Sequence, residues 1–99
     1  MGQSEVIDKL KLYKKLLSEY LDIQGVFLFG SYARGTPRED SDIDVAVVLN
    51  KIEGDYLTIT PLLWRTRRLV DERIEPLLFE KDKDPSGFLR EIIETGIAI

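Results

Sequence analysis

Two short apolar runs constrain this chain more than anything else in it. Val26-Phe27-Leu28-Phe29 ends at Gly30, and Val45-Ala46-Val47-Val48 follows Asp42-Ile43-Asp44. Both read as strands, because they are short, apolar and rich in β-branched or aromatic residues. The segment between them, 30–41, is rich in Gly, Ser, Thr and Pro and reads as a loop with room for one helical turn. The second strand extends over Asp42 to Leu49. Side chains alternate along a strand, so Ile43, Val45 and Val47 share one face, and Asp42, Asp44, Ala46 and Val48 the other.

Helices are expected around these strands. Ser4 suits an N-cap, with Glu5 in the first turn, and Val6, Leu10, Tyr13, Leu17 and Tyr20 follow helical spacing to an end near Leu21. Gly25 reads as a turn. A second helix has Thr60 as its cap and Pro61 at its first position, or starts as early as Asp55, with an apolar stripe of Leu62, Leu63, Thr66, Leu69 and Val70. Arg73 to Phe79 reads as a third strand, and Pro76 within it argues for an edge position or a bulge. Asp84-Pro85 opens a last helix carrying Phe88, Leu89, Ile92 and Ile93. Gly96 stops it, and Ile97-Ala98-Ile99 adds a final short strand. The expected class is α/β (α+β): a small mixed sheet with flanking helices, in one domain over residues 1–99.

Composition narrows the chemistry. The 99 residues include no Cys and no His, which removes disulfides, thiolate or imidazole metal ligands and the commonest general base. A metal must therefore sit on oxygen, which favours Mg²⁺, Mn²⁺ or Ca²⁺. The formal net charge of -4 argues against direct nucleic-acid binding. No apolar run approaches the ~20 residues of a membrane span. No signal peptide is visible, and Met1-Gly2 lacks the Ser or Thr that a myristoylation signal wants where Val6 stands. A cytoplasmic location is expected.

The informative stretch is Gly30-Ser31-Tyr32-Ala33-Arg34-Gly35, then Ser41-Asp42-Ile43-Asp44. A strand ending at Gly lets the backbone approach a ligand, and Ser31 adds a hydroxyl donor, so Gly30-Ser31 suits a phosphate cradle. A plain tight turn is the competing reading. Asp42 and Asp44 point to one side of their strand, where their repulsion is relieved by a divalent cation. Two solvated acids at a strand start is the bland alternative, and the buried character of Val45 to Val48 speaks against it. Asp40, Asp42 and Asp44 mimic the start of a calcium-binding EF-hand loop, but Val45 and Lys51 stand where that loop needs Gly and Glu. Gly30 and Gly35 have P-loop spacing, but Thr36-Pro37 replaces the required Lys-Ser/Thr. Glu75 is conspicuous in an apolar strand and is the candidate third carboxylate; on an edge strand it is also free simply to face solvent.

Taken together, the hexapeptide, five intervening residues and Ser41-Asp42-Ile43-Asp44 resemble the signature of the DNA polymerase β-like nucleotidyltransferase superfamily. They resemble most of all its minimal nucleotidyltransferases, the MNT proteins. The resemblance implies that Gly30 and Ser31 bind the triphosphate of ATP or another NTP, with Arg34 near phosphates or the target. It implies that Asp42, Asp44 and Glu75 are catalytic and hold two Mg²⁺ ions, Mn²⁺ being an alternative. Many members carry Asp at the third position, and the extra methylene of Glu75 changes its reach. MNT proteins are often paired with a small helical HEPN protein as antitoxin to toxin, which implies transfer of AMP to a hydroxyl of that partner. Two other readings stand beside this one: a binding module that neutralises a partner without catalysis, and a nucleotidyltransferase acting on a small molecule. Arg65, Arg67 and Arg68 read as a solvated face or a contact for an acidic or nucleic-acid partner, and Trp64 as a core residue ahead of a partner anchor.

Overall fold

The structure, a computed structural model, describes residues 2–38, 40–52 and 56–99. The helices are α1 (Gln3–Ser18), α2 (Ser31–Arg34), α3 (Tyr56–Thr66) and α4 (Phe88–Thr95). The strands are β1 (Ile23–Phe29), β2 (Ile43–Leu49), β3 (Ile74–Glu80) and β4 (Ile97–Ala98). They form one mixed sheet in the order β3-β2-β1-β4. β1 runs antiparallel to β2 and β4, and β2 runs parallel to β3 through the α3 crossover. This is the expected small mixed sheet with flanking helices. Among the described residues, no helix is long and apolar enough to cross a membrane.

Register and alternation give the sheet two different faces. Val26 pairs with Val47 and Leu28 with Val45, while Ile43 pairs with Ile74. These residues are buried against Val6, Leu10, Tyr13 and Leu17 of α1 and Leu63 of α3. Tyr13 is wholly buried, yet its hydroxyl donates to the Leu63 carbonyl at 2.7 Å, which ties α1 to α3. On the other face Phe29 pairs with Asp44 and Asp44 with Glu75, followed by Ala46 beside Leu77. α4 covers part of this second face: Phe88 meets Phe29 and Phe79 edge-on, with ring centres 5.9 and 6.0 Å apart.

Several local expectations are corrected. Ser4 is not the cap: Val6 N–H donates to the Gly2 carbonyl at 3.1 Å, so the first turn closes before Ser4 acts, and Gly2 holds the cap position. α1 stops at Ser18, because β1 begins at Ile23 and the chain must reverse in between; Tyr20 is left 71% exposed. Gly25 lies inside β1, at a bulge where the pairing with β2 shifts, rather than in a turn. Thr60 and Pro61 lie within α3 instead of opening it. As the sixth of eleven residues in α3, Pro61 forfeits one backbone bond, which packing of Leu63 can outweigh. Asp55 lies outside the described residues. The helix ends at Thr66 and tightens into a 3-10 turn over Arg67–Leu69, which swings Leu69 into solvent and out of the apolar stripe.

Other expectations match the structure. Pro76 lies on the edge strand β3. Trp64 packs against the core, with the Arg67 guanidinium 4.5 Å from its ring centre. α4 begins at Phe88 rather than at Asp84, but the Asp84 carboxylate accepts from Leu89 and Arg90 N–H at 3.0 and 2.9 Å and so supports its first turn. Gly96 follows α4, and an added Cβ there would lie 2.6 Å from both the Ile92 and Leu28 carbonyl oxygens. That close approach lets the chain drop directly onto β1 as β4.

Candidate active site

The site is assembled where β1 ends and β2 and β3 begin. Gly30 closes β1 with φ +76°, a conformation that side chains disfavour. A Cβ at this position would fall on the Asp44 carboxylate. The turn from β1 into α2 therefore passes directly over one of the predicted acids, and only glycine lets it do so. Arg34 N–H donates to the Gly30 carbonyl at 3.1 Å, and Thr36 N–H to the Ser31 carbonyl at 3.0 Å, so the loop folds into one compact helical turn. Tyr32 is buried and roots this turn, and Gln3 of α1 donates to its carbonyl at 2.8 Å. Ser31 is half-buried at the start of the turn, and Arg34 is exposed at its end.

The same edge carries the acids. The Ser41 hydroxyl accepts from Arg38 N–H at 2.6 Å, closing the loop just before Asp42. Asp42 is exposed ahead of β2, Asp44 is half-buried on β2, and Glu75 is exposed on β3 directly across from Asp44 in register. Desolvation raises the pKa of Asp44, and the Asp42 charge raises it further, while the Arg34 guanidinium works in the opposite direction. Glu75 is also raised: by partial desolvation, by the charges of Asp42 and Asp44, and by a hydrogen bond with Asp42. Since Glu75 is open to solvent, the repulsion from the two aspartates is the cause with chemical consequence. The structure thus brings Gly30, Ser31, Arg34, Asp42, Asp44 and Glu75 into one neighbourhood at the carboxylate edge of the sheet.

A divalent cation fits the donor chemistry here: oxygen ligands only, like-charged and mutually destabilised. Among the described residues, no three such side chains already converge on one ion-sized point. A groove of about 620 Å³ between α1 and α3 lies on the opposite side of the sheet, lined by Leu16, Tyr20, Leu62 and Leu69 among others. Of the acids, Asp42 and Glu75 are open to solvent and Asp44 is half-buried.

Residues 11–99 match the family described as "Polymerase beta, Nucleotidyltransferase". The chain belongs to that nucleotidyltransferase family. A Methanocaldococcus jannaschii relative provisionally named protein adenylyltransferase MJ0141 is 31% identical over 99 residues, covering 96% of this chain and 99% of that protein. Protein adenylyltransferase MntA of Thermococcus cleftensis is 40% identical over 48 residues, so the match spans about half of each, 48%. In fold, the nucleotidyltransferase chain is similar to a solved complex of tri-AMPylated Shewanella oneidensis HEPN toxin with MNT antitoxin. That likeness has a TM-score of 0.61 at 20% identity, over 95% of this chain and 70% of the other.

Of the arginines expected on a solvated face or at a partner contact, Arg65 and Arg68 are exposed but Arg67 is half-buried, and sequence reasoning did not single out Asp71. Arg67 was visible only as one of three arginines in a run, and its turn toward the sheet depends on the 3-10 geometry after α3. Asp71 accepts from its near neighbour Arg73 at 2.9 Å and from Lys9 of α1 at 2.8 Å, the latter a long-range pairing with no local signal.

Proposed function

We propose that this chain transfers AMP from ATP to a hydroxyl of a protein partner, and that the partner is a HEPN-type toxin for which it serves as antitoxin. The observation that carries this reading is the adjacency of Gly30-Ser31 to three mutually repelling acids, Asp42, Asp44 and Glu75, on one edge of the sheet. Relatives named for protein adenylylation support the choice of AMP and of a protein acceptor. An MNT antitoxin of like fold beside its AMPylated HEPN toxin supports the choice of partner.

In this reading Gly30 and Ser31 receive the triphosphate, and Arg34 balances its charge near Asp44. Mg²⁺ or Mn²⁺, as two ions held by Asp42, Asp44 and Glu75, would neutralise the triphosphate and lower the pKa of the acceptor hydroxyl. The acceptor oxygen forms a bond to the α-phosphorus as the bond to the β-phosphate oxygen breaks, and pyrophosphate leaves. With no His in the chain, Glu75 is the group that takes the hydroxyl proton. The open setting of the acids suits a macromolecular acceptor better than an enclosed small molecule. A cytoplasmic setting, where ATP is plentiful, belongs to the same proposal.

The test is label transfer from ATP carrying the label at its α-phosphate, with Mg²⁺ and a lysate of the native host, comparing wild type with Asp44→Asn. A labelled protein band with wild type alone supports the reading and identifies the acceptor. Label appearing only from the γ-phosphate, or complex formation with no transfer by wild type, rejects adenylylation. A nucleotidylated small metabolite in place of a labelled protein would move the acceptor to that class.

A further inference from the structure

β3 delivers Glu75, and β3 is the terminal strand of the sheet. On its inner side, the Arg73 carbonyl accepts from Ile43 N–H at 2.9 Å. Successive carbonyls in a strand point in opposite directions, so those of Glu72 and Ile74 face outward, where no strand lies. A single guanidinium nitrogen fills that place. Arg67 Nη1 donates to the Glu72 carbonyl at 2.7 Å and to the Ile74 carbonyl at 3.2 Å. Arg67 thus stands where the amides of a further strand would stand, at the residue directly before Glu75.

The guanidinium is itself held. It lies 4.5 Å from the Trp64 ring centre, and the backbone from which it springs is fixed by the turn in which the Arg67 carbonyl accepts from Val70 and Asp71 N–H at 3.0 and 2.8 Å. Two carbonyls and one aromatic face thus hold a half-buried guanidinium, whereas a solvated arginine needs neither. Its charge also reaches the site face, favouring the ionised form of Glu75.

We propose that Arg67 is a positioning residue for nucleotidyl transfer: by gripping the outward carbonyls of Glu72 and Ile74, it fixes where β3 begins and so where Glu75 stands beside Asp44. This rests on the reading of Glu75 as the third acid. Arg67 touches neither nucleotide nor acceptor in this account. Its loss displaces Glu75 without disturbing Gly30 and Ser31, so the chemical step suffers and nucleotide binding does not.

The test compares Arg67→Met and Arg67→Lys with wild type, using steady-state transfer kinetics and residue-resolved amide hydrogen exchange. In Arg67→Met, kcat should fall about 10- to 100-fold while KM for the nucleotide stays within about twofold. Arg67→Lys, with its charge kept but one compact donor group for two carbonyls, should fall between and also serves if Arg67→Met does not fold. The Glu75 amide, in the ladder with β2, should exchange at least about 10-fold faster in the variants, with Val45 to Val48 unchanged. An unchanged kcat, a loss expressed in KM, or exchange that rises equally across β2 would each overturn the proposal. If wild type transfers no nucleotide, the functional reading fails, while the exchange comparison still decides whether Arg67 fixes Glu75.

Discussion

Gly30 and Asp44 share one small space: the backbone of the first crosses the carboxylate of the second with no room for a methyl group between them. Gly30→Ala therefore meets two penalties. The φ of +76° costs an L-residue about 1–2 kcal/mol, and the added Cβ must push Asp44 aside. We expect stability in urea to drop by about 1–3 kcal/mol and transfer to fall by ~100-fold or more, since the displaced group is one of the acids. A Gly30→Ala variant that is as active and as stable as wild type would show that neither the turn nor its contact with Asp44 matters.

The crowding of Asp42, Asp44 and Glu75 predicts an unusual pH response in metal-free protein. Folded-state pKa values of Asp44 and Glu75 are raised, so the folded chain holds more protons than the unfolded chain over the window above the ordinary carboxylate range. Their contribution is therefore favourable in acid and is lost as pH rises from about 4 through the raised values. Asp44→Asn removes one charge and relieves the others, so metal-free Asp44→Asn should gain stability relative to wild type as pH rises toward 7. Mg²⁺ should reverse the order by stabilising wild type, approaching ~2.7 kcal/mol at about 100 times its Kd, while leaving Asp44→Asn nearly unmoved. Thermal melts with and without Mg²⁺ across pH 4 to 8 test both halves. Equal Mg²⁺ responses would remove Asp44 from the metal site.

How much of this was legible in the sequence depends on whether the cause was local. The alternation of Asp42 and Asp44 with Ile43 and Val45 announced both the strand and the face that carries the acids, because strand periodicity is a property of consecutive residues. Gly30 after Val26 to Phe29 likewise marked the turn. The parallel register that sets Glu75 opposite Asp44 was not legible, since it is decided by the α3 crossover. The bulge at Gly25 reads locally like a turn, and Pro61 like a helix start; in each case packing of the neighbouring β2 or Leu63 overrides the local preference. Arg67 was legible only as part of an arginine run, because its partners are backbone carbonyls, and Asp71 was not singled out, because its link to Lys9 reaches a distant helix.

Tyr13 supplies a stability test independent of the site. Burial pushes its phenol pKa above the ordinary value, and its hydroxyl serves the Leu63 carbonyl in the core. Tyr13→Phe leaves that carbonyl without a donor, at a cost of about 1–2 kcal/mol. The effect should appear as a lower urea midpoint with an unchanged slope, and nucleotide affinity should not move. A Tyr13→Phe protein as stable as wild type would mean that water reaches the carbonyl and that the α1–α3 seam is looser than it looks.

Asp71 should produce the opposite pH signature to the site acids. Desolvation of its carboxylate, which is only 10% exposed, acts to raise its pKa. Hydrogen bonds from Lys9 and from the Arg73 amide and guanidinium outweigh that and hold it down at about 2, against an ordinary value of 3.8. With the folded value depressed, the contribution is fully present above the ordinary carboxylate range and is lost as pH falls through about 2. By linkage it amounts to roughly 2 kcal/mol at neutral pH. Asp71→Asn should therefore weaken the protein at pH 7 and narrow to little difference near pH 2, whereas Asp44→Asn differs from wild type only at the higher end. Because Lys9 belongs to α1 and Arg73 precedes β3, the loss should also loosen the turn that Arg67 grips, giving Asp71→Asn and Arg67→Met non-additive effects on stability. Strictly additive losses in the double variant would mean that the two residues brace β3 independently.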